Sequence, residues 1–157
     1  MPNISCKNVL LFIFLTWLYV DVAAQGGYFQ QDVAYDISVK LDDQAHVLRG
    51  QYKLVYTNNS PQELTELYFH LWPNAYKNQS SAFAKQKRNA GERKFAESEP
   101  GQRGYIDSLA FTIDGQAQAF SEWNGHPDVV HMQLGKPIPA GGKITIETPF
   151  KVKIPKS

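Results

Sequence analysis

The sequence predicts an all-β fold, either an antiparallel β-sandwich or a strongly bent, saddle-like pair of sheets, with about eight strands. Three observations carry that reading. Apolar residues recur with period two along most of the chain, whereas the 3.6-residue spacing of an amphipathic helix is scarce. Turn chemistry interrupts the alternation, as at Asn58-Asn59-Ser60-Pro61 and Asp114-Gly115. Aromatic residues make up 13% of the chain, which suits a β-rich body with a thick core.

Residues 1–24 read as a cleaved secretory signal. Lys7 gives a weakly positive start, and Val9–Val20 is apolar except for Thr16. Val22-Ala23-Ala24 then offers small residues to a peptidase cutting before Gln25. The apolar run is shorter than the ~20 residues that a bilayer-spanning helix needs. Cys6, the one cysteine, sits in that segment, so the domain expected over residues 25–157 must hold together by burial alone. No cysteine follows the apolar run to carry a lipid anchor. The expected product is exported to a periplasm or the medium, with no membrane span once the signal is removed.

Within 25–157, Val33, Tyr35, Ile37, Val39 and Leu41 make a long strand, and Asp42-Asp43-Gln44 turns it. Leu48, Gly50, Tyr52, Leu54 and Tyr56 return as the second arm of a hairpin. Leu67–Tyr76 (LYFHLWPNAY) follows. Leu67, Phe69 and Leu71 share one face of a strand, and Tyr68, His70 and Trp72 the other. Both faces are bulky, so the strand is expected to be covered on both sides, in part by a neighbouring domain. Pro73 ends it.

Lys77–Gly104 is a long polar excursion, in which Ser80 and Ser81 are candidate N-caps for a short helix through Phe83 and Ala84. Lys85, Lys87, Arg88, Arg93 and Lys94 make it basic, while Gly91, Pro100, Gly101 and Gly104 interrupt it. Connections of this length are uncommon; it reads as a solvated segment over the sandwich edge, or as an interdomain or access surface. Strands resume at Leu109, Phe111 and Ile113, turn at Asp114-Gly115, and return through Ala117–Phe120. Val130, Met132 and Leu134 form another strand. Beyond the Pro137–Gly142 turn, Ile144, Ile146, Thr148, Phe150, Val152 and Ile154 form the last.

The search for chemistry yields no catalytic, cofactor-binding or metal residue. Of the histidines His46, His70, His126 and His131, none has the H-E-x-x-H helical context of a hydrolytic zinc site. Pro127 and the strand around Val130 deny His126 and His131 a common helical face. His70 is expected on the covered side of its strand, held by a hydrogen bond. No G-x-S-x-G elbow occurs. Asp42-Asp43, Glu97 and Glu99 fall in polar segments with no apolar pocket to raise a carboxyl pKa. Gly141-Gly142 joins two strands and opens no helix, so it is no phosphate loop. Asn58-Asn59-Ser60 and Asn78-Gln79-Ser80 fit the glycosylation acceptor pattern. Lys and Arg number 16 against 15 Asp and Glu, which leaves no electrostatic footprint for nucleic acid.

Several stretches, taken in order, resemble the amino-terminal domain of the aminopeptidase N family of zinc metallopeptidases, in its exported bacterial branch. They are Asp36–Leu41 (DISVKL), Leu48–Tyr56 (LRGQYKLVY), Asn58–Pro61 (NNSP), Leu67–Tyr76, Gly104–Ser108 (GYIDS) and Pro149–Pro155 (PFKVKIP). LYFHLWPNAY is the sharpest, and together they cover 28–155. The resemblance implies a β-domain that buttresses a thermolysin-like catalytic domain and helps close its cavity. It further implies that the G-x-M-E-N segment, the H-E-x-x-H helix and the zinc lie beyond Ser157. That catalytic domain is the expected partner, in cis or as a separate chain, and peptide substrate is met only through the full enzyme. The chain alone is expected to be an inactive fragment without zinc. The alternative is a stand-alone secreted binding module for peptide or glycan, with Trp123 and Tyr105 as its aromatic platform.

Overall fold

The computed structural model describes residues 28–156; the expected signal segment, 1–24, lies outside them. Period-two patterning becomes two antiparallel sheets. The hairpin pairs β1 (Asp32–Asp42) with β2 (Val47–Thr57) in one unbroken register, from Asp32 opposite Thr57 to Asp42 opposite Val47. On the other side of β2 lies the last strand, β9 (Lys143–Lys153). Short strands β4 (Tyr105–Asp107), β5 (Thr112–Ile113) and β6 (Gln116–Ala117) complete a six-stranded sheet, ordered β1-β2-β9-β5-β6 with β4 also on β9. The second sheet has three strands, ordered β3-β8-β7: β3 (Leu64–His70), β8 (His126–Ile138) and β7 (Ser121–Trp123).

The core lies between the sheets. Leu54 and Ile146 enter from the large sheet; Leu67, Val130, Met132, Leu134 and Ile138 enter from the small one, and Phe111 joins them. Met132 and Ile146 are wholly buried. The sandwich-like all-β fold expected from the alternation is therefore present, with nine strands among the described residues rather than about eight. Strands β4 and β7 lie outside the segments that the alternation marks. The turn Asn124-Gly125, with φ of 48° and 73°, closes the β7–β8 hairpin, and its Asn-Gly pair was the overlooked signal.

The strand at Leu67 departs from expectation. It stops at His70, and Trp72–Tyr76 winds into a 3-10 helix with Pro73 in its first turn. Its inner side is covered, with Leu67 buried, but its outer side is open: Tyr68 is 50% and Trp72 71% exposed. His70 is exposed as well, with its ring stacked on Trp72 at 4.2 Å. Among the described residues the small sheet has three strands and nothing forms a layer over its outer face, so double-sided cover is not met by them.

The polar excursion folds onto itself. Ser81 caps helix α1 (Ala82–Asn89), accepting from the Ala84 amide at 3.1 Å and donating to the Ala75 carbonyl at 2.6 Å. Phe83 packs against Tyr76 and Phe95, with ring centroids 4.6 and 5.4 Å away. Arg103 lies over Phe95 and donates to the Ser98 carbonyl at 2.6 Å. This satellite cluster ties the excursion down without a strand.

Candidate functional site

The large sheet is wider than the small one that covers it. Leu54 on β2 is 3% exposed beneath the small sheet, whereas its cross-strand partner Tyr35 on β1 is 59% exposed. Ile37, Val39 and Leu41 share that face of β1, and each is more than half exposed. Cover ends at β2, and the apolar stripe of β1 projects past it. Scattered apolar residues on a surface are ordinary, but a contiguous row along one strand marks an interaction surface.

The stripe continues inward into a cleft of about 230 Å³ at the mouth of the sandwich. Ile37, Tyr52, Leu71, Trp72, Phe111 and Phe150 are among its walls. Pro73 turns the chain out of strand geometry after His70, and the 3-10 turn that follows sets Trp72 on the rim. Gly50 makes room for the Phe150 ring of that wall: a Cβ there would stand 2.7 Å from the ring and collide with the Ser38 carbonyl. Tyr35 and Tyr52 meet at 5.8 Å. Burial, and then the adjacent Tyr35, pushes the Tyr52 hydroxyl up to about 12. Near the same end, Asp128 is 6% exposed; its carbonyl accepts from the Leu71 amide at 2.7 Å, while its carboxylate Oδ1 has no hydrogen-bond partner among the described residues.

A second cluster lies on the small sheet. His131 Nε2 pairs with Glu66 at 2.8 Å, its ring lies 4.8 Å from Tyr68, and Tyr68 meets Trp123 edge-on at 5.8 Å. Trp123 in turn stacks on His126. Tyr105, expected to share a platform with Trp123, is on β4 of the other sheet, so the two do not form one surface. His46 occupies the β1–β2 turn at φ 52°, apart from these clusters. Among the described residues no three His, Cys, Asp or Glu side chains gather to hold a metal ion. No described helix is long and apolar enough to cross a membrane.

The paired carboxylates also have local roles. Asp42 accepts from the Ala45 amide at 2.9 Å in the hairpin turn, and Glu99 forms a capping box with Gln102. Asn58, the first acceptor asparagine, is wholly buried. Its Nδ2 donates to the carbonyls of Gln62, Ile138 and Pro139, and its Oδ1 accepts from Ser60. That amide joins the β2–β3 connection to the β8–β9 turn and leaves no room for a sugar.

No protein-family model matches the sequence, and no curated protein matches it.

Proposed function

We propose that this chain is the amino-terminal structural domain of an exported, zinc-dependent aminopeptidase-like metallopeptidase. In that role it buttresses a catalytic domain that carries the metal and cleaves peptides. The observation that carries the proposal is the bare apolar stripe Tyr35-Ile37-Val39-Leu41, which runs into the cleft rimmed by Trp72. A free-standing module would leave that surface wet, at a cost of about 25 cal/mol for each Å² of apolar area. A neighbouring domain would cover it. The resemblance of LYFHLWPNAY to the aminopeptidase N family supplies the identity of that neighbour; the stripe supplies the reason for one.

The test is to read the coding region past Ser157 and to assay the chain. An H-E-x-x-H helix in frame, and no amino-acid amide hydrolysis by the chain with added zinc, is the expected result. Hydrolysis by the chain itself, with a tightly held ion, overturns the proposal.

A second reading, a secreted module binding peptide or glycan, draws on the half-exposed Tyr68 and Trp123 beside the Glu66–His131 pair. It predicts that a ligand quenches or shifts Trp123 fluorescence, and that Trp123→Ala abolishes binding.

A further inference from the structure

β1 offers more than its apolar face. It is the edge strand of the large sheet: β2 pairs with one side, and no described residue pairs with the other. Its eleven residues run without a bulge or proline, so of the usual devices that blunt an edge it carries only charged side chains, Lys40 among them. Charge patterning selects what the edge accepts.

On the polar face, Asp36 begins a row that alternates in sign through its cross-strand neighbours Lys53 and Glu147. Lys40 instead begins a row of like charge, opposite Arg49, which is opposite Lys151; only there does Asp107 close it. Like charges facing one another across strands are unfavourable, so this row lacks an anion at its β1 end. Among the described residues, neither Asp36 nor Lys40 has an ion-pair partner.

We propose that the free edge of β1 pairs, antiparallel, with β1 of a second copy about a two-fold axis at Ser38. That register sets Asp36 against Lys40 of the other copy, and does so twice. Each Lys40 row gains its missing anion, and each Asp36 row gains a cation. On the opposite face Ile37 meets Val39 and Tyr35 meets Leu41. A two-fold axis normal to the sheet keeps like faces together, so the axis must fall on a residue. Moving it to Asp36 or Lys40 opposes identical charges. Moving it to Ile37 opposes Asp32 to Asp42, and moving it to Val39 opposes Asp36 to Asp42. Leu41 as the centre would set Lys40 against Asp42 but would pair only the end of the strand; Ser38 is the centre that keeps the length of β1 paired and brings opposite charges together without opposing like ones. The pairing uses the edge and leaves the apolar face open, so it stands independently of the function proposed above.

Sedimentation velocity on the purified full chain tests this through charge exchange. The unaltered chain is expected to dimerise. D36K and K40D, each alone, oppose like charges twice and should weaken dimerisation at least about tenfold. An equimolar mixture of D36K with K40D should form a heterodimer, and the double variant should dimerise with itself. Both positions are exposed, and circular dichroism checks that each variant folds. A monomeric unaltered chain overturns the proposal, as does self-association that ignores the charge pattern.

Discussion

Phe150 lays its ring over Gly50, with the nearest ring carbon 2.7 Å from where a Cβ would stand. The contact joins β9 to β2 on the apolar face and explains a glycine in mid-strand, where the residue is ordinarily a weakness. Gly50→Ala should therefore destabilise the fold by about 1–3 kcal/mol, although alanine is the better strand former. Adding Phe150→Ala should recover only part of the loss, because the Ser38 carbonyl still blocks the site. Urea unfolding of the four variants gives the coupling. An alanine that is neutral by itself would show that the ring yields freely.

Met132→Ala should cost about 2–5 kcal/mol, since the side chain is wholly buried among residues of both sheets. Phe69→Ala should cost less than a fully buried aromatic would, because Phe69 is only partly buried and packs on the core through Phe111 at 5.5 Å. Denaturation midpoints that rank Phe69 above Met132 would contradict this placement.

Asn58→Ala takes a donor from three carbonyls, of which those of Gln62 and Pro139 keep another in Ser60 and Gly142, and should cost about 1–3 kcal/mol. Asn58→Asp should be worse at neutral pH, since it replaces a donor with a charge facing those carbonyls. Mass spectrometry of the folded protein, exposed to a glycosylating extract, should find Asn58 unmodified. A sugar at that position on a natively folded chain would refute its buried role.

Stability should fall in strong alkali. The Tyr52 hydroxyl is raised to about 12 in the fold, against an ordinary value of 10.0, so the unfolded chain releases its proton first. The contribution is complete below pH 10 and is lost as the pH rises through about 12. Burial raises Tyr56 in the same direction. Urea midpoints recorded between pH 9 and 12 should decline, and the decline should be shallower in Tyr52→Phe. An identical slope in that variant would remove Tyr52 as the cause.

Strand pairing was legible where the chain alternates strictly. β1, β2 and β9 were marked by their own side chains, and Ser81 announced the helix it caps. Short strands escaped because their pairing is decided by partners far along the chain: β4 exists by lying on β9, not by any pattern in Tyr105–Asp107. The interface was misplaced for a related reason. Bulk on both faces of Leu67–Trp72 suggested burial there, yet alternation cannot say how wide each sheet is. The exposed apolar row falls instead on β1, whose sequence looks like that of any core strand. Asn58 lay in a turn motif and was read for its surface chemistry; its buried amide depends on the β8–β9 turn eighty residues away.

Because β1 is bonded through β2 alone and no described residue forms a layer over its face, it is the described element with least to lose by detaching. Its amides should exchange with solvent deuterium through a local opening, well before those of β2, β8 and β9 reach the cost of global unfolding. If two copies join along that edge, protection of β1 becomes a function of protein concentration while the interior stays constant. The most mobile margin of the sandwich would then also report how crowded the molecule is with its own kind.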